Sequence, residues 1–149
     1  YFNDLMELRD FINHFYTNAN EKDKKGFIAF LKSESLLKQR KVVEANELLA
    51  HIKSNNNNKI ISPLLSLRKA IILIRLKKYN EALSELNFLK GTIFADKGII
   101  MSGQIHERFY DDSSKASEFY FRIINDYSDS IFSEPIRYHL RKLKDNEKI

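Results

Sequence analysis

Cysteine is absent from all 149 residues. That excludes disulfide frameworks, thiolate zinc sites and cysteine nucleophiles. Glycine occurs four times and proline twice, too few for a turn-rich β-sandwich or a glycine-rich cofactor fold. Gly91, Gly98 and Gly103 are also too widely spaced for a phosphate loop. No apolar run approaches the ~18 residues of a membrane helix. The best, AIILI at 70–74, is flanked by Arg68, Lys69 and Arg75. No signal peptide is legible. The chain opens at Tyr1 and not at Met, which reads as a processed chain or a fragment.

What is present describes a globular chain: 43% hydrophobic and 30% charged residues. The formal charge is +5. Lys, Ile and Asn number 17, 17 and 13. AT-rich codons favour all three, so the lysine excess reads as base composition before it reads as a nucleic-acid partner. Charge alternates in sign along the chain, −1 over 1–31, +3 over 32–60, +4 over 61–110, −4 over 111–134 and +3 over 135–149. No basic block of about five or more interrupts that alternation. Nucleic-acid binding is therefore the weakest of the partner readings.

Apolar spacing is helical throughout, and no window has a period of two. Leu5, Leu8, Ile12 and Phe15 share one face of a helix over 2–17. A second helix begins near Lys22, and a third covers Val42 to Lys53. The run Ser54 to Asn58 is a loop, because asparagine amides compete for local backbone groups. Ser62-Pro63 opens a helix reaching Lys77. Asn80 is expected to cap the next, which stops at Gly91. Helices over about 95–110, 114–126 and 131–144 complete eight.

Three alanines, Ala45, Ala82 and Ala116, lie near the starts of second helices, 37 and 34 residues apart. Ser33, Ala70 and Gly103 lie midway along first helices, 37 and 33 apart. Two helices joined by a short turn approach closely only where side chains are small. Bulky residues further along each second helix then fill the layer between pairs. One pair cannot bury its apolar face alone, and stacking solves that.

This pattern resembles the tetratricopeptide repeat. KKYNEAL at 77–83 matches that family's turn and second-helix start. DDSSKASEFYFRIINDYSDSIFSEPIRYHL at 111–140 is similar to the repeats of bacterial envelope proteins, with Ser128 standing where a proline is usual. The last repeat and the terminal helix resemble the C-terminal ends of tetratricopeptide proteins of the Bacteroidetes type. The resemblance spans about 24–144. It departs at Val42, which stands where repeat two has Tyr79. It implies an all-α, right-handed α-solenoid of antiparallel helix pairs. The units are an N-terminal helix (1–21, a cap or the remnant of an earlier repeat), repeats at 22–59, 60–93 and 94–130, and a capping helix at 131–149. For localisation it implies a periplasmic or membrane-associated envelope complex, with the cytoplasm as the alternative.

In such a stack the first helices line a concave face. The register places Phe27, Phe30, Glu34, Leu37 and Lys38 there from unit one. Leu64, Leu67, Ile71, Ile74 and Arg75 follow from unit two, and Lys97, Ile100, Gln104, Glu107 and Arg108 from unit three. The expected partner-binding groove is centred on Lys38, Leu67, Ile71, Arg75, Gln104 and Arg108. Lys38, Arg75 and Arg108 occupy equivalent positions and form a ladder suited to an acidic or extended segment. The simpler reading is that each cation complements a helix C-terminus. The groove is either open or filled by the N-terminal helix.

No catalytic residue, cofactor or metal site is expected. His14, His51, His106 and His139 form no i, i+4 pair. Asp111-Asp112 reads as helix capping, and Phe119-Tyr120-Phe121 reads as core. The leading expectation is a non-catalytic protein–protein interaction scaffold within a larger bacterial assembly, with no small-molecule substrate. The alternative is a repeat domain attached to an enzyme encoded elsewhere in the chain.

Overall fold

The computed structural model describes residues 20–52 and 61–146, with Asn13 alone before them. The expected N-terminal helix and the asparagine loop at 55–58 lie outside the described residues. Those that are described form seven helices and no strand: α1 (Glu21–Lys38), α2 (Val42–Ala50), α3 (Ile61–Arg75), α4 (Tyr79–Asn87), α5 (Ala95–Phe109), α6 (Ser113–Asp126) and α7 (Ser133–Asn146). None is long and apolar enough to cross a membrane.

Local chemistry sets the boundaries. Asn20 caps α1, its Oδ1 accepting the Asp23 N–H at 3.0 Å. Asp112 caps α6, accepting the Lys115 N–H at 2.9 Å. Asn80 lies inside α4 instead of capping it, and Lys78 takes the cap position.

Three hairpins result, α1–α2, α3–α4 and α5–α6, each closed by a turn with one left-handed residue. These are Arg40 (φ 62°), Lys77 (φ 60°) and Asp111 (φ 52°). The Lys41 N–H reaches back to Leu36 O at 2.9 Å and the Lys78 N–H to Leu73 O at 2.9 Å, the Schellman pattern. In the third turn the Asp112 N–H reaches His106 O at 2.9 Å, one residue wider. That extra residue accounts for the spacing of the small residues, 33 from Ala70 to Gly103 but 34 from Ala82 to Ala116.

The small residues do sit at the closest approaches. Ala45, Ala82, Ala116, Ser33 and Ala70 are all 0% exposed, and Gly103 is buried. Size is compensated across each hairpin. By register, Ser33 is matched with Leu49, Ala70 with Leu86 and Gly103 with Tyr120. The smallest residue meets the largest, and a Cβ at Gly103 would lie 2.5 Å from the Tyr120 ring.

Apolar burial is divided into three clusters rather than gathered at one centre. One joins α1, α2 and α3 around Phe27, Leu49 and Leu65. A second joins α3, α4 and α5 around Ala70, Leu86 and Ile105. A third joins α5, α6 and α7 around Tyr120, Ile123 and Leu140. Each helix packs chiefly on its neighbours in sequence, and α1 also meets α3.

The turn leading into α7 repeats the one leading into α5. Thr92 Oγ1 accepts the Phe94 N–H at 3.2 Å, and Ser130 Oγ accepts the Phe132 N–H at 3.3 Å. This equivalence puts Arg141, which is exposed, at the position of Gly103.

Candidate functional site

The six groove residues divide by position. Lys38 and Arg75 are the last residues of α1 and α3, and Arg108 is the penultimate residue of α5. All three are exposed and stand in the last helical turn, where a cation complements the helix dipole. No described ion pair engages any of them. Leu67, Ile71 and Gln104 are half-buried, and Leu67 rests against the Ala70–Leu86 cluster. Leu67 and Ile71 are neighbours one turn apart on α3, while Lys38, Arg75, Gln104 and Arg108 come from the three first helices.

Three of the wider face assignments need correction. Phe27 is 1% exposed, Phe30 9% and Ile100 8%. These side chains belong to the clusters beneath the face, because α1 and α5 are packed from more than one side. Glu34 pairs with Arg68 of α3, which also lies 5.6 Å above the Phe30 ring. What remains on α3 is a partly buried apolar stripe of Leu64, Leu67, Ile71 and Ile74, of which Leu64, Leu67 and Ile74 also rest against the core clusters.

Two arrangements escaped the sequence reading. The first ties the last three helices together. Glu107 Oε2 accepts the Tyr120 hydroxyl at 2.6 Å, and His139 Nε2 lies 2.9 Å from the same oxygen. The His139 ring meets Tyr120 edge-on at 5.4 Å. Burial raises the Glu107 pKa, but the bonds from Tyr120 and His139 outweigh it and hold the carboxyl below its ordinary value. Burial, then the Glu107 carboxylate, push the Tyr120 phenol well above its own. Full burial of Tyr120 at 1% exposure makes this trio a structural clasp.

The second is a pair of equivalent slots between successive second helices. One, of about 240 Å³, lies between α4 and α6 over α5. Leu83, Leu86, Asn87 and Lys90 form one wall, and Lys115, Phe119 and Arg122 the other. Ala95, Gly98, Ile99, Ser102 and His106 form the floor. The other, of about 250 Å³, lies between α2 and α4 over α3 and is lined by Asn46, Ala50, Lys69, Leu73, Glu81 and Glu85. Each of these six maps by register onto a residue of the first slot: Leu83, Asn87, Ser102, His106, Lys115 and Phe119.

The shared shape holds opposite chemistry. In the α2–α4 slot Lys69 Nζ is 4.0 Å from Glu85 Oε1 and donates to Ile52 O at 3.2 Å. The α4–α6 slot has cations at Lys90, Lys115 and Arg122 and no acidic residue in its lining. His106 is 8% exposed, and its Nδ1 has no hydrogen-bond partner. Its ring stacks on Phe119 at 5.5 Å. Burial first, and the Lys115 charge second, hold its pKa below the ordinary value, against an opposing pull from Asp112.

No group of three or more His, Asp or Glu is placed to hold a metal among the described residues. No family model, curated protein or solved structure matches the chain. The tetratricopeptide resemblance therefore rests on the residues that carry it.

Proposed function

We propose that the chain is a non-catalytic protein–protein interaction module of a larger bacterial assembly. Its hairpins stack as a right-handed solenoid of the tetratricopeptide kind and take a partner segment on the face of the first helices. The observation that carries this reading is the stripe of Leu64, Leu67, Ile71 and Ile74, all only partly buried at helical spacing. An apolar stripe on a helix already packed on other sides favours a partner of its own. Lys38, Arg75 and Arg108, free of described ion pairs, add attraction for acidic residues beside that segment. At the other end, α7 closes the stack. Arg141, which is exposed, stands where the earlier hairpins have a small residue.

The test is site-directed photo-crosslinking in the cells that make the protein. A photoreactive phenylalanine analogue replaces Leu67 or Ile71 and, as a control, Val43, which is 58% exposed on α2. The expected result is a discrete protein adduct from positions 67 and 71, weakened by joint Arg75→Glu and Arg108→Glu changes, and none from position 43. Absence of adducts at 67 and 71, or the same products from all three positions, would refute the reading.

A further inference from the structure

We propose that the slot between α4 and α6 is a second binding site, for a carboxylate carried on an apolar peptide segment. It shares no residue with the stripe on α3 and does not depend on that reading.

Three cations line the slot, one from the turn after α4 and two from α6. Lys90 follows α4, Lys115 and Arg122 project from α6, and all are exposed. None has a carboxylate partner among the described residues, and the lining supplies none. Like charges gathered around a concave, partly apolar surface raise the local potential and attract an anion. The equivalent slot shows how this fold settles such a charge from within. Glu85 lies 4.0 Å from Lys69, and Glu81 on the same wall pairs with Lys78 at 3.3 Å, so each lysine there has a carboxylate from the chain itself. At the α4–α6 slot the floor residue matching Lys69 is Ser102, whose hydroxyl is spent on Gly98 O at 2.8 Å. The wall residues matching Glu81 and Glu85 are Lys115 and Phe119. The lining supplies no carboxylate of its own, and the Asp112 carboxylate acts on the floor only through His106.

His106 is the second observation. Its side chain is more than nine-tenths buried, it lines the floor, and its Nδ1 is unpartnered. Such a buried polar atom calls for a partner. Charged groups near the ring are Lys115 on α6 and the Asp112 cap, with Lys90 across the slot on the α4 side. A bound carboxylate would offset both lysines and favour a protonated His106.

The walls decide the kind of anion. Leu83, Leu86, Ile99 and Phe119 offer apolar surface beside the cations, which suits a carboxylate flanked by apolar side chains. A phosphate dianion is disfavoured, because the nearest helix N-terminus is already capped by the Asp112 carboxylate.

The test is nuclear magnetic resonance titration of the 15N-labelled chain with the blocked peptide Ac-Phe-Glu-Leu-NH2. Ac-Phe-Gln-Leu-NH2 and inorganic phosphate are the comparison probes. Saturable shifts are expected at Ser102, His106, Lys115 and Phe119 with the glutamate peptide only. Affinity should fall at least about tenfold in Arg122→Glu and in Lys115→Glu, and stay unchanged in Arg75→Glu. These side chains are exposed, so spectra away from the slot should match the parent. No saturable shift, equal binding of the glutamine peptide, or binding of phosphate without the peptide would overturn the proposal. Shifts confined to Leu67, Ile71 and Gln104 would overturn it too, while favouring the first-helix face.

Discussion

Between α2 and α4 the slot over α3 carries Lys69, Leu73, Glu81 and Glu85. Between α4 and α6 the same positions over α5 carry Ser102, His106, Lys115 and Phe119. Backbone register fixes the shape of both, because it depends on the small residues that let the helices approach. The wall side chains take little part in that approach, so their charge is free to differ. One slot sets carboxylates beside its lysine and the other is lined by cations alone. In this fold the repeated geometry and the differing chemistry therefore occupy separate positions on the same helices.

The largest expected effect lies on the inner faces of the same two hairpins, where Ala70 and Leu86 match Gly103 and Tyr120. Gly103→Ala places a methyl against a ring that is 1% exposed and held by Glu107. The overpacking should cost about 1–3 kcal/mol, despite the ~1 kcal/mol that alanine gains over glycine in a helix. Adding Tyr120→Leu recreates the Ala70–Leu86 combination, and the double variant should be more stable than the sum of the singles. Urea denaturation checks both, and additivity would count against the matched-size reading.

A smaller effect comes from the Lys69 slot. Lys69→Ala removes the cation facing Glu85 and the donor to Ile52 O, and Glu85 Oε2 is already buried without a partner. A loss of about 1–2 kcal/mol is expected. The matching change in the other slot, Ser102→Ala, gives up only a hydroxyl bond to Gly98 O and should cost less than about 1 kcal/mol. Equal losses in thermal or urea unfolding would erase the contrast.

The smallest effect is in pH. The folded-state pKa of His106 lies below its ordinary 6.5. The unfolded chain therefore takes up the proton first as pH falls. Its contribution is present above 6.5 and is lost as pH drops through the lowered value. His106→Leu, which copies Leu73, should remove that part of the slope between pH 7 and 5. Glu107 acts in a separate window. Its stabilisation is held above its ordinary 4.5 and lost only as pH falls through its lowered pKa. Unfolding curves across that range in parent and variant decide the matter, and an unchanged slope would place the titration elsewhere.

The repeat register was legible because close helix packing demands small residues, and few side chains satisfy it. Ser33, Ala70, Gly103 and the three alanines therefore stood out. The turns at 77–78 and 111–112 were legible from KKYNEAL and Asp111-Asp112, but their left-handed conformation was not, because Arg40 and Lys77 are neither glycine nor asparagine. Asn80 carried the chemistry of a cap, yet its Oδ1 accepts the Tyr110 hydroxyl at 2.5 Å, from 30 residues away. Phe27 and Phe30 were assigned to the wrong surface because α1 is enclosed on more sides than one face of a helix suggests. The cationic slot draws on α4, α5 and α6 together. It emerges only when Glu81 and Glu85 are set against Lys115 and Phe119, position by position.

The division of the core into three local clusters governs how the chain gains and loses its structure. Contacts mostly join helices adjacent in sequence, so little loop entropy opposes them and assembly is fast. Folding can begin at any hairpin and spread to the next. Loosening at one end, such as the release of α7, leaves the α1–α3 cluster closed. Protection of backbone amides against exchange is then graded along the chain instead of uniform, and damage at one junction stays there.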